Sequence, residues 1–259
     1  MIDILFAHVA DAERMLRIVT RTNRLADTAA ILSHSEMGGF VERLLAAVQT
    51  RVRRIAASLS PRDGADMARA VEDAAWCAGV LAEMDMCLQL RPDSPWGKAA
   101  RMARIEVAGQ LSGLMKSTSA AVHAALPMKR QVLAGRMTRL CPWLEAPVKG
   151  ELIEAAAALL SSIARLRGAA GTFGCEADRQ GLKAELTDYL STWANEALDS
   201  IADGGVADPD PPLRLVGTAA RFLTLIEALE AARAIRRRAA AAEAVFATAP
   251  FTGASPAAA

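Results

Sequence analysis

Apolar residues recur at helical spacing along most of this 259-residue chain. The clearest stripe is Leu182, Leu186, Tyr189, Leu190, Trp193, Ala197 and Ile201, and a second is Val41, Leu44, Val48, Val52, Ile55 and Leu59. Ser60-Pro61, Ser94-Pro95 and Asp210-Pro211 each set a capping oxygen before a proline suited to the first helical position, and Ala146-Pro147 is a weaker start of the same kind. Pro92, Pro127 and Pro142 follow periodic segments and are expected to close them, because proline has no N–H and restricts the residue before it. Together these signals predict eight helices, over 6–33, 36–59, 62–91, 95–126, 128–140, 147–168, 176–203 and 211–245. A long loop is expected from Asp203 to Asp210, around Gly204, Gly205 and Pro209.

The expected fold is therefore all-α, about eight helices in an antiparallel bundle-like arrangement, since most connections are short. Residues 1–247 read as a single helical domain and 248–259 as a disordered tail. An internal echo adds to this picture. Glu13, Arg24, Leu25 and Ala29 recur 141 positions later as Glu154, Arg165, Leu166 and Ala170. Gly39, Leu44, Thr50 and Ser58 recur 142 positions later as Gly181, Leu186, Thr192 and Ser200. Val71, Ala74, Ala75 and Arg91 recur 145 positions later as Val216, Ala219, Ala220 and Arg236. A duplicated unit with small loop insertions leaves such a slowly growing offset, so residues 12–91 and 153–236 are expected to form two similar three-helix units joined by two connecting helices.

Composition agrees with helix. Hydrophobic residues make up 53% but aromatics only 4%, and Ala, Leu, Arg and Glu outweigh the strand-favouring residues. A formal charge of +1 gives no overall attraction to nucleic acid or an anionic membrane. Cys77, Cys87, Cys141 and Cys175 form no CxxC pair, and with His8, His34 and His123 scattered no zinc spacing arises. Free thiols, no basic leader and no apolar run long enough to span a bilayer lead to the expectation of a soluble cytoplasmic protein.

Candidate chemistry is sparse. The phosphate-loop, GxGxxG, GxSxG, Glu-x-x-His and Asp-rich diphosphate-binding patterns are all absent, so no catalytic residue, metal ligand or cofactor is expected. Arg43, Arg51 and Arg54 flank the apolar stripe of the second helix, where guanidinium forks suit a phosphate or an acidic partner, or where their long stems simply cover apolar surface on a solvated face. Trp76 falls off the Cys77, Leu81, Met84, Leu88 stripe of the third helix, as an interface anchor does. Asp73 lies near that stripe, where an acid either pairs with an arginine from another helix or lines a ligand pocket. Glu72 and Glu83 are expected on a solvated face with Trp76, and Arg236, Arg237 and Arg238 near a helix C-terminus, where they favour the dipole.

Two functional classes remain ahead of the rest. The first is a non-enzymatic interaction protein (regulator, adaptor or assembly factor) using Trp76, Arg43, Arg51 and Arg54 against a protein partner or a second copy of itself. The alternative is a small-molecule binder or enzyme with an apolar pocket between helices and Asp73 as its polar group. Nucleic-acid binding ranks last because the net charge is near zero.

Overall fold

The computed structural model describes residues 14–22, 32–58, 64–132, 138–147, 149–206 and 208–248. Within them lie α1 (Arg14–Thr22), α2 (Glu36–Ser58), α3 (Gly64–Cys87), α4 (Pro95–Ala125), β1 (Met128–Val132), β2 (Thr138–Pro142), α5 (Gly150–Arg165), α6 (Arg167–Ala170), α7 (Glu176–Ala202), α8 (Asp210–Leu225) and α9 (Leu229–Thr248). The protein is essentially all-α, with one small two-stranded sheet among the described residues. No helix there is long and apolar enough to cross a membrane. Of the expected tail, Thr248 ends α9 and the rest lies outside the described residues, as does most of the 6–33 segment. The chain divides into two compact units, residues 1–119 with 158–182 and residues 120–157 with 183–259.

In the first unit α2 and α3 pack closely along their length. Val41, Leu44, Val48, Val52 and Ile55 of α2 are buried as their spacing predicts, as are Val71, Ala74, Cys77, Leu81 and Met84 of α3. Each such leucine, isoleucine or valine, once fully buried, contributes about 1.5–3 kcal/mol. The Ser94-Pro95 start also holds: the Gly97 N–H donates to Ser94 Oγ at 3.1 Å, and Ser94 Oγ–H donates to the Arg91 carbonyl at 2.7 Å. A Cβ at Gly97 would sit 2.0 Å from the Arg91 oxygen, so this turn requires glycine.

In the second unit Leu186, Leu190, Trp193, Ala197 and Ile201 of α7 are all buried. Tyr189 Oη–H donates to the Leu126 carbonyl at 2.5 Å and Trp193 Nε1–H to the Pro127 carbonyl at 3.1 Å. These bonds fix the two carbonyls that immediately follow the end of α4.

That anchoring helps explain the main departure from expectation. Residues 128–140 do not form a helix; they belong to an antiparallel hairpin in which Met128 faces Pro142, Arg130 faces Leu140 and Val132 faces Thr138. Pro127 stops α4 and biases Leu126 away from helical backbone. The Trp143 N–H then closes on the Pro127 carbonyl at 3.0 Å, and the β-branched Val132 and Thr138 sit in register. Pairing and packing override the helix propensity of the Met128-Lys129-Arg130-Gln131 run.

A second departure divides the expected 211–245 helix into α8 and α9. Glu227, with φ of 60°, turns the chain between them, and the Ala228 N–H donates back to the Leu223 carbonyl at 2.8 Å. No glycine marks this turn in the sequence, so the periodic pattern reads straight through it. The end of α7 does carry its marker. Gly204 has φ of 70° and Gly205 donates to the Ser200 carbonyl at 2.9 Å, a left-handed helix stop of the kind glycine permits.

Candidate functional site

Two pairs of residues at i, i+3 spacing meet between α2 and α3: Arg51 with Arg54, and Asp73 with Trp76. The Asp73 side chain is only 3% exposed. It accepts hydrogen bonds from Arg51 Nη1 at 2.8 Å, from Arg54 Nε at 2.8 Å and from Arg54 Nη2. The Arg51 guanidinium carbon lies 4.0 Å from the centroid of the half-buried Trp76 ring, in cation–π geometry. Helical spacing thus folds four of the five sequence-nominated residues into one cluster. Arg43 is not in it; it is exposed on α2, eight residues before Arg51 and so about 12 Å away along the axis.

The electrostatics follow from the burial. Moving a carboxylate out of water is costly unless it is paired, and two guanidinium groups pair this one. The Asp73 hydrogen bond holds the Arg54 pKa above its ordinary value. Cys77, one turn on, is a different case: burial pushes its thiol up to about 12, so it is a packed side chain and no nucleophile. Both Asp73 oxygens are engaged by cationic donors. Asp73 lines neither of the two clefts described below. The cluster keeps one surplus positive charge, and Arg51 and Arg54 remain 33% and 50% exposed.

Other nominated residues resolve one by one. Glu83 is buried, against the expectation of a solvated face, because α1 packs there and Arg17 grips it through Nε and Nη2, both at 2.7 Å. Glu72 is exposed, 3.4 Å from Arg165. Arg238 bonds Asp199 at 2.7 Å and Asn195 at 2.5 Å, and Arg236 donates to Thr224 Oγ1 at 2.9 Å, so these two cations of the run serve α7 and α8 contacts. His34 is exposed, His123 stacks edge-on against Tyr189 at 4.0 Å, and His8 lies outside the described residues. The four cysteines are free thiols.

A second arrangement escaped the sequence reading. In the second unit a cleft of about 440 Å³ opens between the hairpin, the turn after it and the C-terminal half of α7. Lys129, Gln131, Arg139 and Cys141, the alternate residues of β1 and β2, line one side. Glu196, Asp199, Ser200 and Asp203 line the other. Arg139 Nη2 donates to Glu196 Oε1 at 2.6 Å, and Lys129 Nζ to Glu145 Oε2 at 2.7 Å. Glu196 Oε2 is buried and accepts no hydrogen bond among the described residues. The 196, 199, 203 spacing placed these acids on one helix face, but with 128–140 taken as helix nothing opposed them. A shallower groove of about 350 Å³ in the first unit lies between α2 and α4, beside the exposed Met102.

The chain matches no family model, no curated protein and no solved structure. Its function must be argued from these two arrangements.

Proposed function

We propose that the protein is a non-enzymatic interaction protein, a regulator, adaptor or assembly factor, that docks a carboxylate-bearing protein partner on the Arg51, Arg54 and Trp76 surface. The observation that carries this reading is the way buried Asp73 holds two half-exposed arginines beside a half-buried tryptophan. Arginine and tryptophan are the residues that dominate interface energetics, and here their orientation is fixed before any partner arrives. The surplus positive charge of the cluster favours an acidic segment. Free thiols fit a reducing compartment, which supports a cytoplasmic setting.

A photo-crosslinking amino acid in place of Trp76, in the full chain in its native extract, identifies what docks there, and sedimentation tells a second copy of the chain from a different protein. Trp76→Ala should then weaken that complex by about thirtyfold or more, the effect of losing an interface anchor, with helical content unchanged. A complex of wild-type affinity in the Trp76→Ala protein would overturn the proposal.

A further inference from the structure

We infer that the acidic partner presents an amphipathic helix, laid along α3 with its carboxylates on Arg51 and Arg54 and its apolar flank over Gly79 and Met86. The inference rests on the docking role proposed for Arg51, Arg54 and Trp76 and names the form of what docks there. From Ala74 to Ala82 α3 carries no charged residue, and the acids that bracket this run, Asp73 and Glu83, are both buried. A helix that is apolar on every side is normally covered on every side. Here one flank is open. Ala75 and Gly79 are exposed, Trp76 and Ala82 are half-buried, and Met86 is 66% exposed.

Charge sets the chemistry of the occupant. Arg51 bonds Asp73 through Nη1, and Arg54 bonds it through Nε and Nη2. Arg51 Nε and Nη2 and Arg54 Nη1 therefore keep donors with no acceptor among the described residues, one helical turn apart on α2. Carboxylates at i, i+3 or i, i+4 on a facing helix match that spacing. Glu72, one turn before Trp76, is already paired with Arg165. The shape also points to a helix. From Trp76 to Met86 the open flank runs ten residues, about 15 Å and three turns. Glycine within a helix is less stable than alanine, and a Cβ at Gly79 would meet nothing within 4 Å, so packing inside the chain does not call for it. Close approach of a second backbone does. The next turn of α3 already accepts a helix: α1 packs there, with Arg17 on Glu83 and Thr20 beside Cys87.

Fluorescence anisotropy of the full chain with a labelled, stapled helix of about fifteen residues tests this mode. The peptide carries two glutamates one turn apart and leucines continuing along the same flank. Saturable binding is expected, weakened about tenfold or more by Gly79→Gln, which fills the approach, and by glutamine in place of the peptide's glutamates. The space at Gly79 is open, so this variant keeps its fold, and circular dichroism checks that. Gly79→Gln should equally weaken the complex identified by crosslinking at position 76. If Trp76→Ala weakens that complex and Gly79→Gln does not, the helical mode is overturned while the docking surface stands; if neither does, both fall. No saturable binding at millimolar peptide, equal binding of the glutamine peptide, or a second copy of the chain as the crosslinked occupant would each overturn the inference as well.

Discussion

Replacing Asp73 by alanine probes the link between the buried acid and the arginines it orients. The carboxylate is 3% exposed and accepts three hydrogen bonds from two guanidinium groups. Removing one partner of a fully buried ion pair costs about 3–5 kcal/mol, because the other charge is stranded. Here Arg51 and Arg54 are 33% and 50% exposed and can turn back to water, so most of that penalty is screened. What remains is the loss of charge-assisted bonds in a packed setting and a small void beside Ala74 and Cys77, together about 2 kcal/mol. Urea unfolding of wild type and Asp73→Ala, read by circular dichroism, measures the difference directly. A double-mutant cycle with Arg54→Ala then isolates the coupling, expected at about 1 kcal/mol or more. A change below about 0.5 kcal/mol for Asp73→Ala would refute the reasoning, since a near-neutral loss means the carboxylate contributes little in holding the arginines in place.

Two further outcomes are expected. The single tyrosine, Tyr189, has its pKa pushed up to about 12 by burial, so its neutral form is favoured in the folded state; the stability it contributes is complete below about pH 10 and is lost as pH rises toward 12, which absorbance of the phenolate reports without interference from another tyrosine. At Glu227, with φ of 60°, the substitution Glu227→Val is expected to cost about 1–2 kcal/mol in thermal or urea unfolding while Glu227→Gly is tolerated; equal effects of the two would show that the turn is not strained.

Local chemistry made much of the fold legible. The starts of α2, α4 and α7 fall where expected, at Glu36, Pro95 and Glu176, and the buried faces of α2 and α7 are those their periodicity marks. What could not be read is what depends on distant partners. The hairpin needs α7 to take the Leu126 and Pro127 carbonyls, and the α8–α9 turn places a glutamate where the pattern language expects glycine. The same division holds at the sites. Asp73, Trp76, Arg51 and Arg54 were legible because two i, i+3 pairs need only one helix–helix contact to meet. Glu196 was not, because its opposing wall is a strand that local propensity denies, and Glu83 looked solvated because α1's Arg17 lies 66 residues away.

The internal echo bears on how two such different sites came to share one chain. On the proposed duplication, the offset of 142 carries Arg51 and Arg54 onto Trp193 and Glu196, and the offset of 145 carries Asp73 and Trp76 onto Thr218 and Arg221. None of the four keeps its chemistry. Arg54, which neutralises a buried acid, corresponds to Glu196, an acid with one oxygen buried and unpartnered. Arg51, stacked on an indole, corresponds to an indole, and Trp76 corresponds to Arg221, which pairs with Glu154 through bonds of 2.6 and 2.9 Å. The twelve repeated residues include apolar and small types that suit a helix face, and also the charged pairs Glu13/Glu154, Arg24/Arg165 and Arg91/Arg236, whereas the four positions of the Asp73 cluster have changed sign or type. Packing constraints act on a helix wherever it lies, so they preserve a pattern. Polar specificity depends on what the opposite wall presents, and an acid that faces a hairpin cannot keep the partners of an arginine that faces a helix.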